Sequence, residues 1–260
     1  MTDWISPAEA SAALGAGRGK GVRIAIIDSG VEVNHPALGG LQLADDVAIV
    51  EDGQRLKEVP GGVDCFGHGT AIASILRRVA PEAELGSFRV FGQSLSTRTA
   101  TIAEGARLAM DRGYHILNCS FGCAISDHVL HHKRWVDEAY LGGIHVVAAC
   151  NNYDFSRPEW PGFFSSVITV NMARTTDDAH LFYKPGTLVE FAARGIEVEV
   201  AWCDGLLKKV TGSSFAAPHV AGMLARMLSA KPGLRPLHAK ALFHQIAQPW
   251  TMNLRAPNER

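Results

Sequence analysis

The chain has 260 residues, 47% of them hydrophobic and 20% charged, which supplies a full core and excludes a disordered chain. A formal net charge of −1 and a pI near 6.8 argue against a polyanion-binding surface or a basic membrane anchor, so neither nucleic acid nor membrane is an expected partner. The longest apolar runs, such as Ile144–Cys150, fall far short of the ~20 residues of a membrane-crossing helix.

The first twenty residues lack a basic stretch followed by a continuous apolar one and do not read as a secretory leader. Five cysteines (Cys65, Cys119, Cys123, Cys150 and Cys203) are odd in number and scattered, which does not suit a disulfide framework. Cys119 and Cys123 are four apart but have no companion Cys or His ligands, so no metal site is expected. Reduced thiols make the cytoplasm the expected location. No linker, charge block or repeat divides the chain, and one domain spanning residues 1–260 is expected.

In chain order, Val22–Ile27 is an apolar, β-branched run that reads as a buried strand ending in Asp28-Ser29-Gly30. A carboxylate there must be paired or strongly hydrogen-bonded, because burying a lone one is costly; a turn or cap aspartate is the plainer alternative. His68 follows in Asp64-Cys65-Phe66-Gly67-His68-Gly69-Thr70, ahead of a helix over Thr70–Arg78. Its flanking glycines let the backbone pass close to a neighbour, and Thr70 is placed to cap the helix. The positive helix end would disfavour an imidazolium, which suits a neutral base. One histidine among eleven can equally be a packed structural residue.

Next come a strand over Leu85–Phe91 and a helix over Thr101–Arg112 that stops at Gly113. A strand over Ile116–Cys119 precedes a helix over His128–Leu141, on which His128, His131 and His132 read as solvated. Ile144–Ala149 and Val167–Val170 read as further strands, and Lys208-Lys209 as a hairpin tip. Ser214–Ala230 is an apolar, small-residue helix with Pro218 near its start. Ser214 at its N-terminus either faces N–H groups suited to an oxyanion or simply caps the helix. Leu237–Ile246 is the last helix. Strands alternating with helices predict a three-layer α/β/α fold with a mainly parallel sheet. Sites in such sheets gather at the carboxyl ends of strands, where Asp28, Ser120 and Asn151 fall.

Taken together and in this order, Asp28-Ser29-Gly30, Gly67-His68-Gly69-Thr70 and Gly212-Ser213-Ser214-Phe215-Ala216-Ala217-Pro218-His219-Val220-Ala221-Gly222 resemble the three signature segments of the subtilisin (subtilase) family. The resemblance runs over nearly the whole chain. It implies a subtilisin-like fold, a peptide or protein substrate, and peptide-bond hydrolysis through an acyl-enzyme with no obligatory cofactor. By position, Ser214 would be the nucleophile, His68 the general base and acid, and Asp28 the group that holds the imidazole.

Ala148-Ala149-Cys150-Asn151 is similar to the family's Ala-Ala-Gly-Asn segment, which would make Asn151 the amide donor to the oxyanion and puts Cys150 where glycine is usual. Leu117–Gly122 is similar to the substrate-pairing strand, placing Ser120, Phe121 and Gly122 beside the S1 pocket. Leu95, Ser96 and Thr97 fall at the opposite pairing strand. Glu159 aligns with the base of S1, where a carboxylate would favour Lys or Arg at P1; a solvated surface glutamate is the competing reading. The calcium loop of secreted relatives has no counterpart between Leu76 and Pro81, so no strong calcium site is expected. The same site would also serve a dedicated processing enzyme or peptide ligase, or a binding module without catalysis.

Overall fold

Apolar side chains on both faces of a strand need cover on both sides, and β1 (Arg23–Asp28) shows how this chain provides it. Ile24 and Ile26 point into one core and Ala25 and Ile27 into another. The same alternation recurs on Ile116 and Leu117, and on Val146 and Val147. The protein is described by a computed structural model covering residues 5–53 and 55–250; the two ends of the expected 1–260 domain lie outside the described residues.

The remaining strands are β2 (Asp45–Asp52), β3 (Arg55–Pro60), β4 (Glu84–Arg89), β5 (Ile116–Cys119), β6 (His145–Ala149), β7 (Ile168–Ala173), β8 (Phe182–Tyr183), β9 (Phe191–Arg194), β10 (Val198–Trp202), β11 (Leu206–Val210) and β12 (Gln248–Pro249). The helices are α1 (Pro7–Ala16), α2 (His68–Val79), α3 (Thr99–Asp111), α4 (Val129–Gly142), α5 (Ser213–Ala230) and α6 (Pro236–Ile246). Among the described residues ten strands form one sheet in the order β12-β8-β9-β7-β6-β5-β1-β4-β2-β3. Pairing is parallel throughout its centre, and antiparallel where β3 meets β2 and β8 meets β9.

Ala10, Ile72, Ala216 and Phe243 place α1, α2, α5 and α6 on one face, while Ile102 and Trp135 place α3 and α4 on the other. This is the three-layer α/β/α arrangement the sequence predicts. The amino ends of α2 and α5 carry His68 and Ser214, and β1 ends at Asp28.

Local corrections have local causes. The β10–β11 hairpin turns through Asp204-Gly205, with Asp204 at φ 63° and Gly205 at φ 70°, so Lys208 and Lys209 lie in the strand and not at the tip. Lys208 Nζ sits 4.0 Å from the centre of the Trp202 ring instead. His132 is fully buried against Trp135, and burial pushes its pKa down to about 4, whereas His131 is exposed. Helix α1 arises from a capping box: Ser6 accepts from the Glu9 N–H, and the Glu9 carboxylate accepts from the Ser6 N–H.

Candidate active site

Asp28 is 1% exposed at the carboxyl end of β1, so its charge must be met by hydrogen bonds. His68 Nδ1 lies 2.9 Å from Oδ1 and 3.0 Å from Oδ2, and the Ser29 N–H donates to Oδ1 at 2.8 Å. A carboxylate only accepts, so the imidazole proton sits on Nδ1 and Nε2 carries the free lone pair. Burial works against the imidazolium, but the charge and hydrogen bond of Asp28, with a further contribution from Asp64, outweigh it. The His68 pKa therefore lies above its ordinary value.

The loop that delivers His68 is organised by Asp64. This carboxylate accepts from the N–H groups of Phe66 (2.9 Å), Gly67 (2.7 Å) and Thr70 (2.8 Å) and from the hydroxyls of Ser29 (2.8 Å) and Thr70 (2.6 Å). Thr70 is thus not the cap: α2 begins two residues earlier, and Asp64 meets its exposed N–H groups. The two glycines are steric requirements. A Cβ on Gly67, which holds φ 104°, would lie 2.6 Å from Trp202 Nε1, and one on Gly69 would run into the Gly30 carbonyl.

Ser214 is half-buried in the first turn of α5, whose next residue, Phe215, packs its ring 5.2 Å from that of His68. Pro218 lacks the N–H that would bond the Ser214 carbonyl in a regular helix. The Ser120 hydroxyl supplies that bond at 2.8 Å, and Asn118 Nδ2 in turn donates to Ser120 Oγ at 2.9 Å. The end of β5 is thereby tied to the nucleophile-bearing turn.

The neighbouring asparagines part company. Asn151 Nδ2 donates to Glu159 Oε1 at 2.7 Å, and its Oδ1 accepts from the N–H groups of Tyr153 and Asp154. Both polar atoms of the expected oxyanion donor are therefore engaged by other partners. Asn152 instead reaches α5: its Oδ1 accepts from the Ser213 N–H at 2.7 Å. A Cβ built on Gly212 would stand 3.3 Å from Ser214 Oγ and 3.6 Å from Asn152 Nδ2, so both atoms lie next to that glycine. Cys150 is buried, its thiol pushed up to about 12 by burial, and its carbonyl accepts from the Ser213 hydroxyl.

Asp28 and His68 open onto a cleft of about 440 Å³ that is also lined by Leu95, Ser96, Thr97, Ser120, Phe121 and Gly122. The expected pairing segments thus share one groove with the histidine. Glu159 is half-buried and anchored, not a free surface side chain. The sequence reading misses Asp64, Asn118 and Asn152. An Asp ahead of a helix whose first turn holds Thr was a usable signal for Asp64. Composition holds no signal for choosing between two adjacent asparagines.

The model of the subtilase family matches residues 19–256. Thermitase of Thermoactinomyces vulgaris is 30% identical over 226 residues, 81% of this chain and 76% of that protein. Subtilisin Savinase of Lederbergia lenta is 29% identical over 241 residues, 88% of this chain and 84% of that protein. Among solved structures, a cold-adapted subtilisin-like serine proteinase superposes with a TM-score of 0.72 at 27% identity, covering 87% of this chain and 82% of its own.

Proposed function

The chain belongs to the subtilase family and is a serine endopeptidase, and we propose that Ser214 is its nucleophile, His68 its general base and acid, and Asp28 the group that orients His68. The buried Asp28–His68 pair, open to the cleft and packed on the turn that holds Ser214, is the observation that carries this reading. In the first step Ser214 Oγ attacks the substrate carbonyl carbon as its proton passes to His68 Nε2. The resulting imidazolium is stabilised by Asp28. The tetrahedral intermediate collapses as the leaving amine takes that proton, and water releases the acyl group by the same steps in reverse.

The carbonyl oxygen becomes an anion in both halves of the reaction and needs donors fixed in advance. In this reading they are the Ser214 N–H at the positive end of α5 and the amide of Asn152, in place of Asn151. Anchoring of Asn152 Oδ1 by the Ser213 N–H supports the choice, because it leaves the NH2 group for the substrate. The peptide lies between the Leu95–Thr97 segment and the Ser120–Gly122 segment, held by main-chain bonds.

Intact mass after treatment with a fluorophosphonate tests the assignment. One adduct on the wild type and none on Ser214→Ala is the expected result. Well-folded wild-type protein without an adduct would remove Ser214 from the role.

A further inference from the structure

We propose that the first turn of α4 is an acid-released wall of the cleft: it stays closed while His132 is uncharged and opens when that ring takes up a proton. The opening does not depend on which residue is the nucleophile; its effect on substrate rests on the cleft being the peptide groove of the proposed function.

Position makes this turn part of the cleft. His128, the residue before α4, lines the cleft together with Thr99, Ile102 and Ile125. Thr99, at the start of α3, places its hydroxyl 2.9 Å from His128 Nδ1, which joins the two helix starts. One turn further in, His132 is completely buried beside Trp135, and among the described residues neither of its nitrogens has a hydrogen-bond partner. The Trp135 indole N–H has none either, and a donor gives an imidazolium nothing.

A proton on His132 makes a buried cation without an acceptor, in the first turn of a helix, where the dipole also opposes it. That turn has no side-chain cap and no acidic residue. Burial, and after it the charges of His128 and His131, hold the His132 pKa at about 4 against an ordinary 6.5. The other charges around α4 are paired or exposed. From α3, Arg107 pairs with Glu138, while Glu104 and Asp111 are exposed. From β6, His145 Nε2 meets the Leu234 carbonyl. Ahead of α4, Asp127 is exposed and Cys123 Sγ lies 3.9 Å from His128 Nδ1. On α4 itself, Lys133 pairs with Asp137 and Arg134 with Glu138. In the opened turn the ring recovers its ordinary 6.5. The closed turn is therefore fully favoured above that pH, and each unit below it multiplies the open fraction by about ten until about pH 4.

Hydrogen exchange tests the opening, on the full chain carrying Ser214→Ala to prevent self-digestion, at about pH 7.5 and about pH 5, with the intrinsic pH dependence of exchange divided out. Residues 126–136 are expected to exchange about 30-fold faster at the lower pH while β5 and β6 stay protected. His132→Leu, a swap of similar volume without the titrating ring, should abolish the increase, and His131→Gln should shrink it. If His132→Leu does not fold, the parent chain and His131→Gln still decide. An unchanged rate over 126–136, or an increase shared by the whole sheet, would overturn the proposal. In the active protein, KM for a peptide should rise between the two pH values and stay flatter in His132→Leu, whereas the loss of kcat through His68 is common to both. Matching KM curves would separate the turn from the cleft and also overturn it. A wild type without activity would refute the peptidase assignment and leave exchange to judge the turn.

Discussion

Two loops next to residues of the cleft each carry a carboxylate, and they use it in opposite ways. Asp64, in the loop before α2, accepts five hydrogen bonds from its own chain. The carboxylate of Glu159, in the loop after β6, accepts one hydrogen bond among the described residues, from Asn151. A saturated carboxylate is a structural part: its charge is consumed in setting the backbone that presents His68. A carboxylate with acceptor capacity to spare, held between binding segments, is available to a ligand. The lesson is that the count of partners, more than proximity to the nucleophile, separates folding groups from recognition groups.

The largest expected effect breaks the second loop. Asn152→Ala should lower kcat by about 10²–10³-fold, the size known for such a donor in subtilisin, a relative of this chain, with KM little changed. Asn151→Ala should have a much smaller effect on kcat. Steady-state kinetics on both variants decides between them, and a larger kcat loss for Asn151→Ala would reverse the two assignments.

Breaking the first loop should appear as stability. Asp64→Ala orphans several donors at the start of α2 and should cost about 3 kcal/mol, or about 6–12 °C in Tm by thermal denaturation. Glu159→Gln should leave Tm nearly where it was. Equal melting shifts would erase the distinction drawn between the two carboxylates.

The pH profile sharpens the comparison further. His68 acts as a base only when neutral, so kcat/KM should fall as pH drops through its raised pKa. Asp64 helps to raise that pKa, so Asp64→Asn, which removes the charge, should move the acid limb to lower pH. Glu159→Gln should leave the limb in place, since Glu159 is not among the groups that shift His68. The smallest expected effect is on the tie between β5 and α5: Ser120→Ala should cost about 1 kcal/mol by unfolding in denaturant, as the Ser214 carbonyl loses its donor.

Much of this was legible beforehand. Strands buried on both faces announce themselves as apolar runs, so β1, β5 and β6 are found within a residue or so. β2 and β3 are not, because Asp45-Asp46 and Glu51-Asp52 give an edge hairpin the look of a loop. Asp28, His68 and Ser214 are readable because each sits where a strand or helix ends and glycines crowd the backbone. Asn151 against Asn152 is not: both follow the same strand, and only the turn decides which one faces α5. Thr70 misleads for a related reason. Its hydroxyl has the chemistry of a cap, but α2 starts at His68, and Asp64, six residues before Thr70, meets the N–H groups at that start.

The sheet order has one more consequence. Asp28, His68 and Ser214 hang from β1, α2 and α5, elements far apart in the chain that meet only once the parallel centre of the sheet has closed. Parallel pairing and long loops make such closure a late event in folding. An extended polypeptide is the natural prey of a peptidase, and this chain passes through that form during its own synthesis. Ser214 emerges from the ribosome last of the three, so the growing chain is exposed to cutting before it holds any blade of its own.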